Sequence, residues 1–184
     1  MSDLTKRALE SSLKKLLKEK PLSKITIQDL TSDAGVNRMT FYYHFKDIYD
    51  LVQWCCLEDA KKYLDEKNTY AIWKESFLKI FQGVKEDKSF ITAVYYSLSR
   101  DIIENYLFKI TYKLLYDVVE EKSSGIIIDK KDKEFIADFY KYAFVGIVLE
   151  WIRKDMAEDP EAIINRIDIL LQGDIEKALE KFRK

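Results

Sequence analysis

Turn-forming residues are scarce in this chain, and that scarcity restricts its fold more than any other feature. The 184 residues include only 5 glycines and 2 prolines. A β-rich fold needs many tight turns between short strands, and glycine and proline are the usual turn formers. Apolar side chains recur instead at helical spacing along most of the sequence. The sequence therefore predicts an all-α fold of about nine helices.

The two prolines mark helix boundaries. Pro21 ends the first helix, and Pro160 begins the last one, because proline is favoured in a first helical turn. The second and third helices belong to the motif described below. The other expected helices cover about residues 3–19, 48–66, 70–85, 90–98, 101–121, 132–154 and 159–182. We expect two functional parts, residues 1–47 and 48–184, without a flexible linker between them.

The segment 26–51, TIQDLTSDAGVNRMTFYYHFKDIYDL, predicts a helix, a tight turn and a second short helix. Thr26 and Asp29 have the spacing of a capping box at the start of the first of these helices. Gly35 suits the left-handed conformation that ends a helix. Asn37 is a favourable N-cap for the second helix. The segment is therefore expected to form two short helices that meet at a fixed angle.

The second short helix should bury its phenylalanines and expose its polar and aromatic side chains. Phe41 and Phe45 are four residues apart and so lie on one face. A short helix of this kind fits the major groove, where arginine can bind guanine and threonine can contact a base. Tyrosine, histidine and lysine suit contacts to the phosphate backbone. The predicted DNA-binding residues are Thr26, Gln28, Asn37, Arg38, Thr40, Tyr42, Tyr43, His44 and Lys46.

This segment resembles the helix-turn-helix motif of the TetR family of transcription regulators. The resemblance covers roughly the first 50 residues and rests on Thr26, Ala34-Gly35-Val36, Asn37, Thr40, Phe41, Tyr42-Tyr43-His44-Phe45 and Leu51. It implies a sequence-specific DNA-binding regulator, most often a ligand-responsive repressor that acts as a homodimer on a palindromic operator. One position departs from the family pattern. Ile48 replaces the lysine or arginine with which many members contact phosphate, so either Lys46 takes over that contact or the contact is absent.

The resemblance also implies a pocket for an effector in the second part of the chain, and either a small molecule or a protein could be the effector. Aromatic walls with a few hydroxyl groups suit small organic ligands, although each such side chain taken singly is more often core packing. The candidate ligand-binding residues are Trp73, Phe77, Tyr95, Tyr96, Tyr106 and Tyr112.

The eighth and ninth predicted helices carry more apolar residues than a single buried stripe needs. The surplus indicates either a second buried face in a homodimer or a thick monomer core, and we favour the dimer because the family resemblance implies it. The candidate interface residues are Phe139, Trp151, Ile164, Ile167 and Leu171.

The sequence predicts no catalytic residue, no metal site and no cofactor. Its one histidine, His44, belongs to the DNA-binding segment, and there is no Gly-rich phosphate loop, Cys/His metal spacing or serine nucleophile elbow. The strongest alternative function is a protein-interaction or co-regulator module with the same fold and weak or no DNA binding, which Ile48 favours.

The cysteine usage and the hydropathy of the chain predict a cytoplasmic protein that does not span a membrane. The adjacent cysteines Cys55 and Cys56 are interpreted as small buried residues in a reducing compartment rather than as a thiol sensor. No apolar run approaches the roughly 20 residues that a membrane span needs.

Overall fold

The computed structural model describes residues 2–64, 69–97 and 100–184, and within these residues every regular element is a helix. This confirms the all-α prediction. The predicted ends of the fourth and sixth helices, Glu66 and Leu98, lie outside the described residues. The elements in chain order are α1 (Ser2–Leu16), a 3₁₀ turn (Leu22–Lys24), α2 (Ile27–Asp33), α3 (Arg38–His44), α4 (Ile48–Leu64), α5 (Trp73–Glu86), α6 (Lys88–Tyr95), α7 (Arg100–Lys122), α8 (Lys130–Arg153), α9 (Pro160–Leu171) and α10 (Asp174–Lys181).

The last predicted helix is two helices in the structure. Gly173 separates α9 from α10 and has a φ of 74°, in the left-handed region. The Gln172 N–H still donates to the Asp168 carbonyl oxygen at 3.1 Å, so the hydrogen-bond pattern of α9 continues up to the glycine. A left-handed residue cannot continue a right-handed helix, and glycine adopts this conformation without steric penalty. The chain therefore changes direction at this position.

The chain forms two compact units. One comprises Met1–Asp59 and Asp87–Ile103, and the other comprises Ala60–Glu86 and Glu104–Lys184. The helices α4 and α7 each contribute residues to both units. The predicted division between residues 47 and 48 concerns function rather than compactness, and it stays a prediction.

The first unit has an apolar core beneath the helix-turn-helix segment. Leu13 of α1, Leu30 of α2, Phe41 of α3 and Leu51 of α4 are all completely buried. Burying one such side chain contributes roughly 1.5–3 kcal/mol. Ser12 is also buried, and its hydroxyl donates to the Leu30 carbonyl oxygen at 3.2 Å. These contacts fix α1 against the helices of the motif.

An ion-pair cluster at Lys14 links three helices of the first unit. The Lys14 ammonium lies 3.1 Å from Asp59 Oδ2 on α4 and 2.7 Å from Asp87 Oδ2, directly before α6. It also lies 5.5 Å from the centre of the Phe90 ring on α6. Burial lowers the pKa of Lys14, but the two aspartates raise it by more, so the net shift is upward. The lysine is therefore charged at neutral pH and fastens α1 to α4 and α6.

Aromatic side chains build the core of the second unit. The Phe77 ring of α5 lies 4.2 Å from the Phe144 ring of α8, and the Phe81 and Trp151 rings lie 4.9 Å apart. Trp151 donates its indole N–H to the Glu158 carbonyl oxygen at 2.8 Å. The indole nitrogen therefore has its hydrogen-bond partner within the unit, and one face of α8 packs in the core of this unit.

Candidate nucleic-acid interface

A capping box fixes the start of α2. Thr26 Oγ1 accepts a hydrogen bond from the Asp29 N–H at 3.1 Å, and the Thr26 N–H donates to Asp29 Oδ2 at 2.8 Å. These reciprocal bonds confirm the predicted capping box. Lys20 pairs with the same carboxylate at 2.7 Å. The hydrogen bond from Lys20, followed by those from Thr26, lowers the pKa of Asp29 to about 2. Asp29 is therefore ionised at neutral pH and holds the first turn of α2.

The turn between α2 and α3 depends on a left-handed glycine, as the sequence predicts. Gly35 has a φ of 67°. The Ala34 N–H donates to the Leu30 carbonyl oxygen, and the Val36 N–H donates to the Thr31 carbonyl oxygen, each at 2.9 Å. These bonds satisfy the last carbonyl groups of α2. A side chain at position 35 would be strained in this conformation, so the glycine sets the angle at which α3 leaves the turn.

A polar cap at its start and two aromatic anchors beneath it position α3. Asn37 Oδ1 accepts hydrogen bonds from the Thr40 N–H at 2.8 Å and from the Thr40 hydroxyl at 3.0 Å. Phe41 is completely buried and Phe45 almost so, with their ring centres 5.9 Å apart. The Phe45 ring in turn meets Trp54 of α4 at 5.8 Å. The buried side of α3 is therefore fixed, and the opposite side faces solvent.

The exposed side of α3 carries Arg38, Met39, Tyr42 and Tyr43, which we call the recognition surface. Met39 is 77% exposed, Tyr42 48% and Tyr43 82%, and Arg38 is also exposed. Arg38 Nη2 donates to the Tyr42 hydroxyl at 3.4 Å, and the guanidinium lies 6.0 Å from the centre of the Tyr42 ring. Guanidinium and phenol groups are suited to contact base edges and phosphates.

Met39 lies at this surface although the sequence analysis did not select it. That selection was based on polar and aromatic side chains, and a methionine in a helix is normally a residue of the hydrophobic core. A shallow depression of about 540 Å³ is lined by Asn37, Met39, Thr40, Tyr42 and Tyr43. An exposed thioether in such a depression can contact the methyl group of thymine or a sugar, as other apolar side chains do.

Three further predicted DNA-binding residues lie before or after the recognition surface in the sequence: Gln28, His44 and Lys46. Gln28 is exposed on α2 and donates to the Ser32 hydroxyl at 2.9 Å. His44 is half-buried at the end of α3. Lys46 is exposed, and its backbone N–H donates to Asp50 Oδ2 at 3.0 Å. Ile48, the first residue of α4, is half-buried. The DNA contacts of all nine predicted residues stay predictions.

Two family models match the chain. The model described as bacterial regulatory proteins, tetR family, matches residues 12–54. The model described as transcriptional regulator C-terminal region matches residues 72–173, more than half of the chain. The chain belongs to the TetR family of transcription regulators.

Two curated relatives are similar along most of this TetR-family chain. The HTH-type dhaKLM operon transcriptional activator DhaS of Lactococcus lactis subsp. lactis (strain IL1403) is 23% identical over 154 residues, which cover 82% of this chain and 81% of DhaS. The uncharacterized HTH-type transcriptional regulator YerO of Bacillus subtilis (strain 168) is 23% identical over 197 residues. That alignment covers 94% of this chain and 66% of YerO, so the chain spans about two thirds of the length of YerO.

Solved structures of other regulators share the fold. The dihydroxyacetone kinase operon activator DhaS superposes with a TM-score of 0.76 at 20% identity, covering 98% of each chain. NalD, the secondary repressor of the MexAB-OprM multidrug efflux pump in Pseudomonas aeruginosa, gives 0.63 at 14% identity, covering 97% of each chain. The TetR family repressor AlkX from Dietzia sp. strain DQ12-45-1b gives 0.60 at 15% identity, covering 95% of this chain and 96% of AlkX. These matches establish the TetR fold for this chain.

The six predicted effector contacts differ widely in exposure within this TetR fold. Trp73, Phe77, Tyr95 and Tyr106 are buried, Tyr112 is half-buried and Tyr96 is 64% exposed. None of the six lines the cavity of about 450 Å³ in the second unit, whose walls come from α8, α9 and the loop that joins them. Their effector role stays a prediction.

The five predicted dimer contacts also divide by exposure. Trp151, Ile164, Ile167 and Leu171 are buried within the protomer, whereas Phe139 is 64% exposed. Burial within the single chain leaves these four little surface for a partner, and the dimer role of all five residues stays a prediction. Other apolar side chains of α8 and α9 are more than half exposed, and the sequence analysis did not select them: Phe135, Tyr142, Ile169 and Leu170.

The described residues contain no group of three or more histidine, cysteine, aspartate or glutamate side chains placed to hold a metal ion. Each described helix is too short or too polar to cross a lipid bilayer. Cys55 and Cys56 are free and buried. Burial raises the pKa of both thiols, that of Cys56 to about 12, with a further upward contribution from Glu10 at Cys55 and from Asp59 at Cys56.

Proposed function

We propose that this chain regulates transcription by placing α3 in the major groove of an operator. The recognition surface carries the proposal, because Arg38, Met39, Tyr42 and Tyr43 are exposed on a helix that is anchored from below by Phe41 and Phe45. A rigid helix with an outward-facing guanidinium and two phenols has the chemistry to bind both phosphates and base edges. Membership of the TetR family supports this proposal.

The regulator acts as a homodimer through the exposed side of α8. Phe135, Phe139 and Tyr142 are each about 60% exposed and recur at helical spacing, so they form one apolar stripe on the helix. Gly146 continues the stripe. The space where its side chain would begin is empty, with no atom outside its own stretch of helix within 4 Å, so this part of α8 is uncovered in the single chain. A two-fold dimer would present two copies of α3 to half-sites about 34 Å apart, which a palindromic operator provides.

The oligomeric state tests the dimer. Phe139→Lys places a charge in the stripe and should convert the protein to a monomer in sedimentation velocity experiments at micromolar concentration. Ile127→Lys is the matched control, because Ile127 is 73% exposed and lies outside α8. A dimer that persists in Phe139→Lys, or that is lost equally in Ile127→Lys, would refute the proposed interface.

We expect the regulator to repress transcription and to respond to an effector. The structural relatives NalD and AlkX are repressors, whereas DhaS is an activator. A reporter gene placed downstream of the operator distinguishes repression from activation. If the protein is a repressor, deletion of its gene should raise expression of the reporter. Lower expression after deletion would instead identify an activator.

Fluorescence anisotropy with the upstream region of the protein's own gene tests DNA binding. Arg38→Ala should weaken binding by roughly 1–3 kcal/mol if the guanidinium reads a guanine, and Lys46→Ala should reduce the slope of log affinity against log salt by about 1. Arg153→Ala is the matched control, because Arg153 is an exposed arginine of α8 outside the motif. Binding that is absent at all salt concentrations would favour the protein-interaction module instead.

A further inference from the structure

The first half of α1 places a lysine against the C-terminal end of α3. Lys6 Nζ lies 5.9 Å from the centre of the Phe45 ring and 5.6 Å from that of the Trp54 ring. Both distances are within the range of a cation–π interaction. Phe45 directly follows α3 and is almost completely buried, and its ring meets that of Trp54 at 5.8 Å. The two rings, which we call the ring platform, therefore hold the Lys6 ammonium beside the end of α3.

Lys6 differs from the other cations of α1 in its partners. Arg7 also lies over the Trp54 ring, at 5.1 Å, but it pairs with Glu10 Oε2 at 3.0 Å and with Glu58 Oε2 at 2.6 Å. The remaining basic side chains of α1 pair with aspartates: Lys14 and Lys15. Within the described part of the chain, Lys6 forms no ion pair. Its ammonium can therefore bind an anion from outside the protein without first breaking an ion pair.

The first turn of α4 is unfavourable for a phosphate. Its first residue is Ile48, which carries no charge. The Asp50 N–H donates to Asp47 Oδ1 at 2.9 Å, and Asp50 Oδ2 accepts a hydrogen bond from the Lys46 N–H at 3.0 Å. The chain's own carboxylates thus occupy the positive end of the helix dipole and repel an approaching phosphate. A phosphate beside this turn needs a cation from another element.

The dimensions of the major groove bring the end of α3 close to the DNA backbone. The seven residues of α3 make a helix about 10 Å long, and the major groove is about 12 Å wide. If the first residues of such a helix meet base edges, its last residues lie near one wall of the groove, where the phosphates are. Lys6 is half-buried, and its flexible stem lets the ammonium turn from the ring platform towards that wall.

We propose that Lys6 binds a phosphate of the operator backbone and so supplies from α1 the contact that Ile48 cannot make from α4. This inference rests on the proposed function, because it requires α3 to occupy the major groove. Phosphate contacts fix the position and orientation of a protein on the duplex and carry no base preference. Lys6 therefore strengthens binding to every sequence and adds to the contact predicted for Lys46.

Fluorescence anisotropy of the full chain at several salt concentrations tests the contact, with the upstream region of its own gene and with an unrelated duplex of equal length. Lys6→Met keeps an unbranched stem over the rings but removes the charge. Its slope of log affinity against log salt should be smaller by about 0.9 for each bound protomer. A fourfold rise in salt should then reduce its affinity about 3.5-fold less per protomer than that of the wild-type protein. The change should be equal on both duplexes, because a phosphate contact does not depend on sequence.

Three further variants distinguish a phosphate contact from a structural role. Lys6→Arg keeps the charge and should keep the wild-type slope. Ile48→Lys in the Lys6→Met background places a cation at the start of α4 and should restore the slope. Lys18→Met is the matched control and should leave the slope unchanged, because Lys18 is an exposed lysine beyond the other end of α1. A purely structural role of Lys6 would instead lower the midpoint of urea unfolding without changing the slope.

The outcomes separate this inference from the proposed function. If circular dichroism shows Lys6→Met to be unfolded, Lys6→Gln takes its place with the same expected slope. If the wild-type protein binds the upstream region but removal of the Lys6 charge leaves the slope unchanged, or if Lys18→Met reduces it equally, the contact of Lys6 is refuted and the proposed function stands. If the wild-type protein binds neither duplex at any salt concentration, both are wrong.

Discussion

Replacement of Phe41 by alanine should destabilise the first unit strongly. The Phe41 side chain is completely buried, and its ring contacts those of Tyr42 at 5.7 Å and Phe45 at 5.9 Å. Loss of a fully buried phenylalanine costs about 3–5 kcal/mol, because apolar contacts are lost and a cavity remains. Domains are commonly stable by only about 5–15 kcal/mol. The substitution therefore removes a large share of the free energy of unfolding.

Tyr42→Ala is the matched comparison, because it changes the adjacent position on the exposed side of the same helix. Tyr42 is 48% exposed, and its hydroxyl accepts a hydrogen bond from Arg38 Nη2 at 3.4 Å. We expect a loss of stability below about 1 kcal/mol, as is usual for surface substitutions. If Tyr42 donates a hydrogen bond to DNA, operator affinity should fall roughly fivefold, the equivalent of about 1 kcal/mol for one hydrogen bond.

Urea unfolding followed by far-ultraviolet circular dichroism distinguishes the two variants. A loss of about 4 kcal/mol, divided by a slope of about 2 kcal/mol per M, lowers the midpoint of the transition by roughly 2 M. The Tyr42→Ala midpoint should fall by less than about 0.5 M on the same scale. If Tyr42→Ala shows the larger decrease, or if Phe41→Ala keeps the wild-type midpoint, the assignment of the two faces of α3 is wrong.

Other predictions concern the caps and the thiols of the first unit. Asn37→Ala should destabilise the protein by about 1 kcal/mol in urea unfolding because the Thr40 N–H loses its acceptor. Asn37→Asp keeps an acceptor, so its stability should stay close to the wild-type value. Equal losses of stability in the two variants would contradict the role of Asn37 as the N-cap of α3. The pKa of Asp29 is about 2 in the folded protein and about 3.9 in an unfolded chain, so its contribution to stability is present above about pH 4 and is lost as the pH falls towards 2. Asp29→Asn should therefore weaken the dependence of stability on pH between these values, and an unchanged pH profile would argue against the capping box. Cys55 and Cys56 should react with a thiol reagent only after unfolding, since burial raises the pKa of both; rapid labelling of the native protein would indicate exposed thiols.

The boundaries of α2 and α3 could be predicted because the interactions that fix them are local. Thr26 and Asp29 complete their capping box within three residues, and Asn37 caps α3 through Thr40. Gly35 takes the left-handed conformation that the sequence predicts. Such signals depend on residue type and spacing, which the sequence contains in full.

The exposure of individual apolar residues on α8 could not be predicted in the same way. Phe139 and Trp151 are both large and aromatic, and the sequence analysis placed both at a dimer interface. In the structure Trp151 is buried against Phe81, whereas Phe139 is 64% exposed. Helical periodicity shows that an apolar face exists, but when apolar residues occur on several sides it does not show which face packs within the protomer.

The sequence by itself determined an all-helical chain with a capped pair of short helices, since those features arise from interactions between residues three or four positions apart. Only the tertiary structure decided that Met39 is exposed and that Lys141 meets Phe108 across two helices. Each of these depends on packing between segments that are distant in sequence. Contacts between such segments depend on the complementary shapes of the side chains that pack together in three dimensions. The pattern of residue types along the sequence does not specify these shapes.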